Sequence, residues 1–211
     1  MQMVIGTRKW SSWSMRPWLA AKRAGLVFQD VLVPLRTLET AKALEAYSPS
    51  AQCPVWIDGD LSVWDSLAIC EHLADRYPEK ALWPQDLAAR AQGRSACAQM
   101  HGGFLSLRGE CSMDLAAPVE TLELTEATQA DVRKMIRLWR VVKQRFGQHG
   151  PFLLGDWSIA DAYFTPVATR LRTYGVDLAQ YGDAGLAAEY CVLLLRQPEF
   201  LEWERLALAE G

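Results

Sequence analysis

Every segment of this 211-residue chain that reads as a β-strand lies at or before Trp64, and beyond Tyr77-Pro78 only helical periodicity remains. A chain patterned this way must build its sheet from the first segments and close the rest of its core with helices. Met3-Val4-Ile5 is a short apolar strand followed by a helix running to Gly25, and Val27 to Val33 is a second strand rich in β-branched residues. Thr37 to Ala46 favours helix until Ser48-Pro49-Ser50 breaks it. Val55-Trp56-Ile57 and Leu61 to Trp64 flank the turn signal Asp58-Gly59 and predict an antiparallel hairpin. A helix opening at Asp65-Ser66 then places Cys70, Leu73, Ala74 and Tyr77 on one face.

In the second part, Cys97, Met100, Phe104, Leu107 and Cys111 form one helical stripe, and Val132, Met135, Ile136, Trp139, Val142 and Phe146 another. A loop spans Ser112 to Thr125, Ser158-Ile159-Ala160-Asp161 is a capping box, and helices are expected over 186–196 and 198–209. The expected fold class is therefore α/β plus all-α, with an α/β domain at 1–79, a linker at 80–86 and a helical domain at 87–211.

The corner between the first strand and its helix reads Lys9-Trp10-Ser11-Ser12-Trp13-Ser14-Met15-Arg16-Pro17-Trp18. Ser11, Ser12 or Ser14 can each cap the helix, and Pro17 suits a first turn that needs no donor. Free N–H groups and the macrodipole make such a corner favourable for an anion.

Composition excludes several classes of partner. A net charge of -3 leaves no basic footprint for nucleic acid. No apolar run reaches the roughly 18 residues of a membrane span, and the first residues lack the pattern of a secretory signal, so a cytoplasmic location is expected. The five cysteines are odd in number and widely spaced, without Cys-x-x-Cys, which argues against a disulfide framework or a zinc site. Three scattered histidines offer no metal cluster.

Five stretches occur in a shared order: Ser-Ser-x-Ser at 11–14, Gln52-Cys53-Pro54-Val55, Asp65-Ser66, Glu71 to Pro78, and Ser158 to Asp161. With them the chain resembles, over essentially its whole length, the cytosolic glutathione S-transferase superfamily. Its first turn is most similar to the zeta-type pattern and related bacterial serine enzymes, with Trp13 standing where zeta proteins usually carry cysteine. The resemblance implies a thioredoxin-like, glutathione-binding domain, a helical domain, glutathione as co-substrate without a metal, and a homodimer.

Such an enzyme must hold the glutathione sulfur as thiolate. A free thiol has a pKa of about 8.5, and lowering it by about two units corresponds to roughly 2.7 kcal/mol of differential stabilisation. One hydroxyl donor at a helix N-terminus is of that size. By resemblance the donor is Ser11, with Ser12 and Ser14 as alternates. The resemblance also implies a cis Cys53-Pro54 bond whose main chain pairs with the cysteinyl group. It assigns Ser66 to the γ-glutamyl carboxylate, Asp65 to the adjacent ammonium, and Gln52 to the glycine end. The electrophile is expected between the domains, near Trp10, Trp13, Met100, His101, Phe104 and Arg108; the wall suits a hydrophobic molecule, and Arg108 or His101 could admit an acidic one. The expected activity is a glutathione transferase of the detoxification kind. The alternatives are a zeta-type glutathione-dependent isomerase acting on a maleylacetoacetate-like substrate, or a non-catalytic binding protein of the same fold.

Overall fold

The computed structural model describes residues 1–210. Strands β1 (Gln2–Gly6), β2 (Gln29–Val33), β3 (Val55–Asp58) and β4 (Leu61–Val63) form one sheet in the order β2-β1-β3-β4. β1 pairs parallel with β2 and antiparallel with β3, and β3–β4 is the expected hairpin. Between them lie α1 (Ser12–Arg23), which connects the parallel pair, and α2 (Thr40–Glu45); α3 (Ser66–Arg76) follows β4. The remaining helices are α4 (Leu87–Gly102), α5 (Leu105–Glu110), α6 (Glu126–Phe146), α7 (Ile159–Thr173), α8 (Leu186–Leu194) and α9 (Pro198–Ala209). A thioredoxin-like sheet region is thus followed by a helical one.

Alternation along the strands divides the interior in two. Val4, Val33 and Val55 turn to one face and pack with Leu44 of α2. Met3, Ile5 and Trp56 turn to the other and join the large core shared with α1, α3 and the later helices. Because α1 packs on both α3 and α7, the strand-to-helix corner is held by both parts of the chain. The segment 80–86 belongs to this frame, since Leu82 and Trp83 are buried and the Leu82 carbonyl accepts the Ile159 N–H at 3.0 Å.

The last helix braces the same corner. Trp203 Nε1 donates to the Arg8 carbonyl at 3.2 Å, the Arg8 N–H donates to Glu210 at 2.8 Å, and the Arg8 guanidinium bridges Glu210 and Asp30. The expected capping box also forms: the Ser158 N–H and Oγ donate to Asp161, which also accepts from the Leu153 N–H and Tyr190 Oη. Burial raises the Asp161 pKa, and these hydrogen bonds oppose the rise.

Three local expectations are corrected. The stripe from Cys97 to Cys111 is not one helix: the chain breaks at Gly102-Gly103, and Phe104 adopts a left-handed backbone (φ 54°) before α5. Pro17 lies inside α1 rather than in its first turn. Finally, α8 stops at Leu194, short of the expected 196.

Candidate functional site

The site starts from a turn in which the Ser11 N–H donates to the Thr7 carbonyl at 2.9 Å. This turn starts α1 at Ser12 and makes Ser11 the N-cap, whose Oγ accepts the Ser14 N–H at 3.4 Å. Ser14, another of the three cap candidates, therefore lies within the helix and does not cap it. It is fully buried, and its Oγ accepts from Ser11 Oγ at 2.8 Å and from the Gly6 N–H at 3.1 Å. Gly6 is a tight point, because a Cβ there would meet the Leu35 side chain at 2.6 Å and Cys53 Sγ at 2.9 Å.

Around Ser11 lies a cavity of about 420 Å³. The corner contributes Trp10, Ser11 and Trp13, the loop before β3 contributes Gln52, Cys53 and Pro54, and the start of α3 contributes Asp65 and Ser66. The Cys53-Pro54 bond is cis, as the resemblance implied. Asp65 caps α3 by accepting the Leu67 N–H at 2.9 Å, and Ser66 Oγ lies 3.1 Å from Tyr163 Oη of α7. His101 of α4 also lines this cavity, with Nε2 3.1 Å from Asp65 Oδ2 and its ring edge-on to Trp13 at 4.9 Å.

A second cavity of about 380 Å³ shares the Trp10 and Trp13 wall and receives Ser12. Ser11 is the non-helical cap (ψ 77°) and Ser12 the first helical residue, and the two neighbours serve different spaces. The second space is cationic, lined by Arg36, Arg108 and Arg170. Arg36 lies 4.3 Å from the Trp10 ring centre and Arg108 lies 4.7 Å from that of Trp13. Arg170 is 6% exposed and donates to the Cys111 carbonyl at 2.6 Å, the Arg108 carbonyl at 3.2 Å and Ser12 Oγ at 3.2 Å. Burial, then the like charges of Arg16 and Arg108, lower its pKa to about 10, so it remains charged at neutral pH. Among the described residues none of these three arginines has a carboxylate partner within salt-bridge distance.

The structure thus gathers Trp10, Ser11, Trp13, Gln52, Cys53, Pro54, Asp65, Ser66 and His101 about one cavity and sends Ser12 and Arg108 to the other. Met100 and Phe104, expected on the electrophile wall, are instead buried in the core and line neither. Arg36, Arg170 and Tyr163 escaped sequence reasoning, and Arg170 is separated from Ser12 by 158 positions. Among the described residues no group of three metal-ligating side chains occurs, and no helix is long and apolar enough to cross a membrane.

Residues 10–76 match the family model described as the glutathione S-transferase N-terminal domain. Over these residues the chain carries the N-terminal domain of the glutathione S-transferase family. It is 26% identical over 171 residues to a probable maleylacetoacetate isomerase of Caenorhabditis elegans, covering 81% of this chain and 78% of the relative. Among solved structures, the holo form of maleyl pyruvate isomerase, a bacterial zeta-class transferase, matches with TM-score 0.76 and 22% identity over 100% of both chains. A Burkholderia glutathione transferase homolog with bound glutathione matches with TM-score 0.74 and 22% identity, over 99% of this chain and 98% of that one. Both structural likenesses are likenesses of fold.

Proposed function

We propose that this transferase-family chain is a glutathione-dependent enzyme in which Ser11 holds the glutathione sulfur as thiolate. The observation that carries the reading is the convergence, on one cavity, of the α1 cap Ser11, the cis Cys53-Pro54 corner and the α3 terminus with Asp65 and Ser66. These groups fit a tripeptide bearing a thiol, an ammonium and a carboxylate. A hydroxyl at a helix start donates to the sulfur, a second helix start takes the carboxylate, and an exposed aspartate takes the ammonium. In this reading the Ser11 hydroxyl turns from Ser14 Oγ to the sulfur, and no side-chain base is needed because the thiolate is itself the nucleophile. Two-fold dimerisation, cytoplasmic residence and the division into domains at 1–79 and 87–211 about the segment 80–86 belong to the same proposal.

For the electrophile we infer an anionic molecule rather than a purely hydrophobic one. The second cavity sets three arginines without carboxylate partners beside two indole rings, which suits an acidic, partly apolar compound. That favours the isomerase alternative, in keeping with the probable maleylacetoacetate isomerase among its relatives. The deciding experiment is an ultraviolet titration of the bound glutathione thiol on wild type and Ser11→Ala. A bound-thiol pKa well below about 8.5 in wild type, lost in the variant, supports the reading. An unshifted thiol in wild type overturns it in favour of a binding protein.

A further inference from the structure

One buried cation near the site has no anionic partner in the frame. Arg16, on α1 one turn beyond Ser12, is 1% exposed, and its Nε and Nη1 are buried without hydrogen-bond partners. Among the described residues no carboxylate lies within salt-bridge distance of it. An uncompensated buried charge opposes folding, and replacing such a group by a well-packed apolar side chain is often neutral or stabilising. Burial lowers the Arg16 pKa first of all and Arg108 lowers it further, while Tyr163, through its charge and a hydrogen bond, and the Cys97 thiol oppose the fall. The other titratable groups that face it are the Tyr163 hydroxyl and the Cys97 and Cys70 thiols, together with the Arg170 cation. None of these is a permanent anion, so Arg16 has no anionic partner in contact with it among the described residues.

The geometry shows where one would come from. The guanidinium carbon lies 4.1 Å from the Trp13 ring centre and 4.6 Å from that of Tyr163. The Tyr163 hydroxyl is in turn 3.1 Å from Ser66 Oγ, which lines the first cavity at the N-terminus of α3. When the phenol donates to Ser66 Oγ, the serine hydroxyl is free to donate into the cavity. An anion bound there then lies at the end of a short chain of polar groups that starts at a buried cation, in a low-dielectric setting where electrostatic attraction is strong.

We propose that Arg16 is a positioning residue that acts as the buried counter-charge for a carboxylate bound at Ser66, relayed by the Tyr163 hydroxyl. The inference rests on the glutathione reading above, in which that carboxylate is the α-carboxylate of the γ-glutamyl group. It explains why a costly unpaired arginine stands behind the site, with its complement arriving only with the ligand.

The test compares two tripeptides by calorimetric titration: glutathione, and γ-aminobutyryl-cysteinylglycine, which lacks only the α-carboxylate. Wild type should prefer glutathione by at least about tenfold, the size of a charge-assisted hydrogen bond. Arg16→Met should erase most of that preference, leave affinity for the decarboxylated peptide unchanged, and melt at the same temperature as wild type or higher. Tyr163→Phe should reduce the preference as well, and the double variant should lose no more than the larger single loss, because both act in one relay. The inference is overturned if Arg16→Met keeps the full preference. It is equally overturned if that variant melts lower and binds both peptides more weakly by the same factor, which is what a merely structural arginine would give. Failure of wild type to bind either peptide would bring down the glutathione reading itself, and this inference with it.

Discussion

The two cavities on either side of Trp10 and Trp13 are built in opposite ways. The Ser11 cavity is assembled largely from three short stretches, at 10–13, 50–54 and 64–66, each set by a local device: a capped helix start, a cis-proline corner and a second capped helix start. The Ser12 cavity is assembled mainly from side chains on helices far apart in sequence, and its character is set by charge rather than by backbone. The difference teaches that one helix terminus can serve two chemistries, because its cap and its first helical residue enter different cavities. A fixed backbone cradle suits a ligand that is always the same, and a changeable set of side chains suits one that differs between relatives.

The sharpest way to break this division is to exchange the roles of the two serines. Ser11→Ala should lower turnover by about a hundredfold, the usual size for one well-aimed donor to a developing or bound anion, and return the bound thiol towards its free pKa. Ser12→Ala should leave the thiol pKa where it is. Ultraviolet thiolate titration and steady-state rates on both variants check this, and a thiol that depends on Ser12 would dissolve the division. Next in size, Arg108→Ala should raise KM for a carboxylate-bearing electrophile about tenfold while leaving KM for a neutral one unchanged, since a lost charge-assisted contact is worth about 1.5 kcal/mol or more. Equal effects on both substrates would mean that the arginine shapes the cavity without reading charge.

Legibility in the sequence follows the same line. Ser11, Cys53, Pro54, Asp65 and Ser66 lie in contiguous motifs, so caps, turns and family likeness reached them. Which serine caps α1 was open, because three candidates fit the pattern and only the turn from Thr7 to Ser11 decides among them. Met100 and Phe104 were misplaced for a physical reason: periodicity shows that a face is apolar but not what covers it, and here the helical core covers both. The break at Gly102-Gly103 was hidden because the apolar spacing continues across it, although Phe104 is held in a left-handed conformation. Arg170 was out of reach, since nothing local joins it to Ser12 across 158 positions.

Two smaller effects sharpen the comparison further. Ser158→Ala removes a buried cap that lines neither cavity, and should lower stability by about 1 kcal/mol in thermal or urea denaturation without moving the thiol pKa or either KM. A change in glutathione affinity would show that the capping box reaches the site through α7. Raising ionic strength from about 0.1 M, where the screening length is about 10 Å, to about 1 M, where it is about 3 Å, should raise KM for an anionic electrophile about twofold and leave that for a neutral one alone. Initial-rate measurements in sodium chloride distinguish the two.

The bonds from Arg8 to Glu210 and Trp203 mean that the loop bearing the nucleophile's partner serine is clamped by residues that lie 202 and 195 positions away in sequence. For anyone engineering this protein, α9 is therefore a remote control on Ser11. A substitution at Trp203 or Glu210 should alter the tightness of the loop, and with it the alignment of the hydroxyl, without touching a residue that lines the Ser11 cavity.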